Sequence, residues 1–139
     1  MVEAPAAATH ITPIRVYYED TDAAGIVYYA NYLKFAERAR TEMMRELSEG
    51  LYARMLGDGM AFIVRRCAVD YAGSAKLDDL VEVHSRVLNV GGASLSAEQI
   101  VRRGGDRLVA LEVKLGCVGP DGRPARIPAD LRAAIEKYA

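Results

Sequence analysis

Apolar positions along this chain follow two periods. Between Tyr28 and Ser48, Leu33, Ala36, Ala39 or Arg40, Met43 and Leu47 recur at three- and four-residue spacing, with Lys34, Glu37, Arg38 and Glu46 between them. That spacing lays one apolar stripe along a helix and predicts a single amphipathic helix of about five turns. Elsewhere the period is two. Leu80 to Leu88 sets Val81, Val83, Ser85 and Val87 on one face and Glu82, His84 and Arg86 on the other, the pattern of a strand buried on one side. Ala93 to Arg103 and Arg107 to Val118 predict two more strands, joined as a hairpin by Gly104, Gly105 and Asp106. In the second of these Val109, Leu111, Val113, Leu115 and Cys117 share a phase. Met60 to Tyr71 is also strand-like, but its alternation slips at Arg65 and Arg66, which predicts a bulge.

Ile11 to Glu19, rich in β-branched and aromatic residues, predicts a first strand ahead of the long helix. Gly50 ends that helix, a helical turn is expected over Leu51 to Met55, and a short closing helix carries Pro128 near its start. The order is therefore strand, long helix, four strands, short helix. Consecutive strands with short connections predict an antiparallel sheet, and the long helix must bury its stripe against one face of it, which makes an α+β domain. At 139 residues the chain holds one core. Residues 11–139 read as a single domain and residues 1–10 as a loose tail, with His10 a solvated tail residue.

Composition narrows the partners. Eighteen basic residues against nineteen acidic ones lack the excess of positive charge that nucleic-acid binding demands, so no nucleic-acid partner is expected. The opening MVEAPAAATH carries Glu3 where a signal peptide is basic, and no apolar run has the length of a membrane span, so a cytoplasmic location is expected. Cys67 and Cys117 stand outside any CxxC spacing and read as small core residues rather than as a disulfide or a zinc site.

The candidate chemistry lies between the first strand and the long helix, in Glu19, Asp20, Thr21, Asp22, Ala23, Ala24 and Gly25. Asp and Thr are favoured helix caps, each worth about 1 kcal/mol, and acids ahead of a helix read first as capping. Capping needs one acceptor, however, whereas Glu19, Asp20 and Asp22 crowd three charges whose repulsion opposes their joint ionisation. Small residues here let a ligand approach the backbone, and the tyrosines that follow wall it off. A carboxylate facing amide donors across a small cleft suits acyl chemistry: one group activates water or attacks, and the N–H donors hold the developing oxyanion. Tyr17, Tyr18, Tyr28 and Tyr32 read as packing residues, with one or two lining an acyl pocket. An aspartyl-phosphate start of the DxDx[TV] kind fits poorly, because Ala24 replaces the hydroxyl or Val and the chain lacks alternating strands and helices.

Arg15 to Leu47, RVYYEDTDAAGIVYYANYLKFAERARTEMMREL, resembles the signature of hot-dog-fold acyl-CoA thioesterases of the 4-hydroxybenzoyl-CoA thioesterase type, and looks most like their Tol-Pal-associated branch. LDDLVEV and GGASL further along fit as well. The resemblance implies a five-stranded antiparallel sheet wrapped around one long central helix. It further implies a homodimer or homotetramer with active sites between subunits, and hydrolysis of acyl-CoA, or of acyl carrier protein thioesters, with no cofactor and no metal. It carries the catalytic carboxylate to Asp22, as nucleophile or general base, and the carbonyl-polarising amide to the N–H of Tyr29. Gly25, Ile26, Val27 and Tyr28 are the expected substrate contacts.

Two departures bear on the site. Tyr29 stands where many Tol-Pal-associated relatives have His, so only a backbone contribution carries over. Gly91, Gly92 and Ala93 replace the basic cluster ahead of the serine that matches Ser94, which leaves Arg65, Arg66, Lys76, Arg102 and Arg103 as candidate phosphate contacts. Glu37 is a reserve carboxylate, since another hot-dog branch uses a helix Glu. Rival readings are a scaffold that binds acyl-CoA or acyl carrier protein without turnover in envelope lipid metabolism, and a hot-dog dehydratase, whose His is missing from the opening segment.

Overall fold

The computed structural model describes residues 9–139. Its elements are β1 (His10–Arg15), α1 (Asn31–Ser48), α2 (Leu51–Gly57), β2 (Ala61–Tyr71), β3 (Leu80–Val90), β4 (Ser94–Arg103), β5 (Asp106–Val118) and α3 (Ala129–Glu136). All strand pairs are antiparallel, in the order β1-β3-β4-β5-β2. The β4–β5 hairpin closes between Arg103 and Asp106 through Gly104, whose φ of +58° suits the first position of a II′ turn.

The two periods translate into burial except at Leu33, which is exposed. Phe35, Ala36 and Ala39 of α1 pack with Ile14, Val81, Val83, Val101, Val109 and Leu111 in one cluster. Met43 and Met44 join Met55, Val87, Leu95, Val113, Leu115, Leu131 and Ile135 in a second, so α2 and α3 cap the far end of the helix. Among the strands, α1 packs on β1, β3 and β4, and a cleft of about 360 Å³ opens between it and β2.

The expected bulge is present: Val64 pairs with Leu115 and Arg66 with Lys114, leaving Arg65 extra. Both arginines thereby reach the sheet face opposite the helix, where Arg65 lines a groove with Ser94 and Gly116, and Arg66 one with Ala68 and Ser96.

Four expectations need correction. β1 ends at Arg15, and Tyr18–Asp20 form a 3₁₀ turn, because the Asp20 carboxylate draws the Tyr17 N–H into a local bond. The helix starts at Asn31 rather than Tyr28: the Tyr28 carbonyl accepts the Asn31 N–H at 2.7 Å in a tight turn ahead of the helix, and the buried Asp20 carboxylate holds the Asn31 side chain. His10 is no solvated tail residue: it opens β1, is buried, and meets the Glu46 carboxylate at 2.7 Å. The rest of the expected tail, residues 1–8, lies outside the described residues. Cys67 is exposed because β2 is an edge strand facing the open cleft, whereas Cys117 is buried as its phase predicts.

Candidate active site

The acidic segment folds back on itself before the helix begins. Thr21 bridges Val27, the Asp22 N–H donates to the Ile26 carbonyl at 2.9 Å, and the Gly25 N–H donates to the Asp22 carbonyl at 3.0 Å. Gly25 closes this turn with a φ of +79°, where a side chain would be strained. The ribbon delivers Asp22 and the start of α1 to the same end of the sheet.

Within it the three acids take separate roles, which relieves the crowding apparent in the sequence. Asp20 is buried; one carboxylate oxygen accepts the Tyr17 N–H at 2.9 Å and the other accepts the Asn31 side-chain amide at 3.0 Å. It ties the loop to the first residue of α1. Asp22 is exposed, with Oδ1 accepting the Ala24 N–H at 2.8 Å and, among the described residues, no donor on Oδ2. Glu19 is exposed.

Tyr29 lies in the turn just ahead of α1, where helix N–H groups lack partners. Among the described residues its N–H meets no acceptor, while its carbonyl accepts the Tyr71 hydroxyl at 3.1 Å. The Tyr29 ring is 61% exposed and packs against Tyr28 and Tyr71 at centroid distances of 5.0 and 6.0 Å. Burial pushes the Tyr71 phenol above its ordinary pKa, so the hydroxyl stays a donor.

A second layer holds the ribbon from behind. Ala75 receives the Val27 N–H on its carbonyl at 2.9 Å and donates its own N–H to the Tyr32 hydroxyl at 2.9 Å; Lys76 bridges Ile26. That strap is anchored by Asp79, which accepts the Lys76 N–H at 2.8 Å and pairs with Arg103 at 2.9 Å. The Lys76 N–H and then Arg103 hold the Asp79 carboxyl below its usual range.

Gly25, Ile26, Val27 and Tyr28 belong to the same loop as Asp22 and Tyr29, and Lys76 joins that loop through its bridge to Ile26. Arg65 and Ser94 do not join them. They share a groove of about 450 Å³ with Arg66, Lys114 and Gly116 on the opposite sheet face. From Tyr71 back to Arg65 is roughly 20 Å along β2 at about 3.3 Å per residue. Arg103 belongs to the strap, and Glu37 lies on the exposed side of α1 at the rim of the α1–β2 cleft. Asn31, Tyr71, Ala75 and Asp79 were missed in the sequence. Only the Tyr17-to-Asp20 spacing carries a local turn signal; the others depend on long-range contacts.

A long helix carried on a five-stranded antiparallel sheet, with an acidic turn and a free amide at the helix start, defines a hot-dog-fold enzyme of the thioesterase kind. The chain belongs to the Thioesterase superfamily, whose family model matches residues 24–110. It is 44% identical over 124 residues to the acyl-CoA thioesterase YbgC of Haemophilus influenzae, covering 88% of this chain and 91% of that one. It is 39% identical over 127 residues to the acyl-CoA thioester hydrolase YbgC of Escherichia coli, covering 90% and 94%. A probable thioesterase from Bartonella henselae superposes with a TM-score of 0.80 at 33% identity, over 87% of this chain and all of that one. Among the described residues, no helix is long and apolar enough to cross a membrane.

Proposed function

We propose that the protein hydrolyses acyl-CoA thioesters to a carboxylic acid and free CoA, with Asp22 as the acting carboxylate and the Tyr29 N–H as the oxyanion donor. The observation that carries this reading is the unbonded Tyr29 N–H just ahead of α1, with the following peptide held through the Tyr29 carbonyl by the Tyr71 hydroxyl, in the same loop as a carboxylate with one oxygen pinned and one free. The thioester carbonyl oxygen accepts from Tyr29, where the helix start adds positive potential. Either the free Asp22 oxygen takes a proton from water as that water adds to the carbonyl carbon, or it adds directly. In the first route the tetrahedral oxyanion collapses, the carbon–sulfur bond breaks, and the thiolate recovers the proton from Asp22. In the second the carbon–sulfur bond breaks as an acyl-aspartyl anhydride forms and CoA leaves as its thiolate; water then cleaves the anhydride to the carboxylic acid and the Asp22 carboxylate, its proton passing to the thiolate. A single turnover in ¹⁸O-water labels Asp22 only if the second route operates with water attacking the aspartyl carbon.

The smallest working unit in this reading is a homodimer. β2 is an unpaired edge of eleven residues with Ile63 and Val64 exposed, and the Tyr29 side of the site is open. Antiparallel pairing of two β2 strands about their centre places the partner's Arg65 opposite Cys67 of the first copy, about 13 Å along the strand from Tyr71 in place of the roughly 20 Å within one copy. CoA phosphates then meet the partner's Arg65 groove and Ser94, together with Lys76 from the copy that holds the acyl group.

The test is thiol release from acetyl-, butyryl-, hexanoyl-, palmitoyl- and benzoyl-CoA by wild type and Asp22→Asn, with and without EDTA. Turnover that survives EDTA and falls by about 10²- to 10⁴-fold in Asp22→Asn is expected. No turnover by folded wild type on any member overturns the acyl-CoA reading and turns attention to acyl carrier protein thioesters or binding without catalysis.

A further inference from the structure

The α1–β2 cleft contains a charge that the hydrolytic site does not use. Its walls are mostly apolar, with Met43, Met44, Phe62, Val64, Leu95 and Leu115 among them, yet Arg40 enters it from α1. Arg40 is half-buried, and among the described residues it forms no ion pair. Its one hydrogen bond donates to the Gln99 side-chain oxygen at 2.9 Å.

That oxygen is not free to turn away. Gln99 is fully buried, and its amide nitrogen donates to the Ala36 carbonyl at 2.8 Å and to the Ser85 hydroxyl at 3.0 Å. A carbonyl only accepts, so the Gln99 nitrogen must face Ala36 and its oxygen must face Arg40. The guanidinium is thus fixed by a neutral partner that uses a fraction of its donors. The remaining N–H groups face a cavity where unpaired charge is costly. Burial already lowers the basicity of Arg40, and Glu37, which opposes that shift, lies at the exposed rim. The cleft lies between the same two elements, α1 and β2, that carry the start of the helix and Tyr71 at their other ends. Along α1, Arg40 lies about 14 Å from Asn31 at about 1.5 Å per residue.

We infer that Arg40 is a specificity determinant that makes the cleft favour acyl groups bearing an oxygen acceptor at their distal end over plain hydrocarbon chains. This rests on the thioesterase reading and names the acyl class it acts on. The oxygen-bearing end takes the donors left over by Gln99, while the Met, Phe and Leu walls cover the methylene chain. Aliphatic chains of the same length leave those donors unmet on entering, a penalty that sites built to hydrogen-bond their substrates impose on analogues lacking the partner.

The experiment measures kcat and KM for matched CoA thioesters: hexanoyl against 6-hydroxyhexanoyl and adipoyl, and dodecanoyl against 12-hydroxydodecanoyl and dodecanedioyl. Wild type, Arg40→Met and Arg40→Lys are compared, with thermal melts and sedimentation on each. Wild type is expected to favour an oxygen-bearing member of at least one length by about tenfold or more in kcat/KM. Arg40→Met should erase the preference, mainly through KM, and Arg40→Lys should keep part of it. The hydroxyl and carboxylate arms separate a neutral acceptor from an anion. Hydrolysis without preference in wild type, or a preference unchanged in Arg40→Met, overturns the inference alone. So does a variant that dissociates the dimer with preference intact, which would assign Arg40 to a second copy. Absence of turnover on every substrate instead overturns the thioesterase reading.

Discussion

Asp20 and Asp22 are two residues apart and chemically identical, yet the structure gives them separable consequences. Replacing Asp20 by Asn removes the charge from a buried group that accepts from the Tyr17 N–H and the Asn31 amide. An Asn oxygen can keep one donor, and the Asn31 amide can turn to meet the new NH₂, so two charge-assisted bonds become two neutral ones. Bonds to charged groups contribute about 1.5–3 kcal/mol and neutral ones about 0.5–1.5, a loss of about 1 kcal/mol each. The sum, about 2 kcal/mol, corresponds to a Tm drop of about 6–10 °C at roughly 3–5 °C per kcal/mol for a domain of this size. Asp22→Asn alters an exposed carboxylate whose bond to the Ala24 N–H an amide oxygen reproduces, so its stability should stay within about 0.5 kcal/mol of wild type. Calorimetry and thiol release on the same preparations separate the two: Asp20→Asn melts early, and Asp22→Asn melts normally but loses turnover. An Asp20→Asn protein melting within a degree of wild type would refute the assignment, as would Asp22→Asn losing as much stability as Asp20→Asn.

Tyr71→Phe deletes the hydroxyl that holds the Tyr29–Ala30 peptide, next to the one bearing the Tyr29 N–H, and should lower kcat about tenfold with little change in KM, while costing about 1 kcal/mol or less in stability; a matching rise in KM would show a binding role instead. Asp79 predicts a pH dependence: its carboxyl is held below its ordinary value of 3.8, so its contribution to stability is present above that value and is lost as pH falls through the lower folded value. Urea melts should therefore show Asp79→Asn weaker than wild type at neutral pH, with the gap closing below about pH 4, and a gap constant across that range would remove Asp79 as the anchor of the strap.

The sheet was legible wherever period two was unbroken. Val81, Val83, Ser85 and Val87 are buried as their phase requires, and the arginine slip in β2 is a real bulge. What failed were boundaries where a side chain captures the backbone. Asp20 ends β1 early, and a tight turn from Tyr28 to Asn31 precedes the helix, which an apolar pattern cannot register because both features are polar hydrogen bonds. His10 was misread because its partner, Glu46, lies 36 residues away. Cys67 was misread because alternation reports which face a residue takes, not whether anything covers that face. Asp22 and Tyr29 fall in one loop because the motif that contains them is contiguous. Arg65 and Ser94 separated from them because both face the side of the sheet away from α1, a placement that the bulge and the strand phase decide.

The extra residue in β2 acts like a frameshift. Before it, even-numbered residues such as Phe62 and Val64 face α1; after it, odd-numbered residues do, with Val69 packed on the core and Tyr71 beside Tyr29. Ironing out the bulge while keeping Arg65 would invert parity downstream and turn Tyr71, with its hydroxyl, to the other face. Deleting Arg65 outright preserves parity, because Val64–Leu115 and Arg66–Lys114 are already successive pairs. The parity of this strand is thus read at Tyr71, six residues beyond Arg65, and passed on through its hydroxyl to the Tyr29 carbonyl.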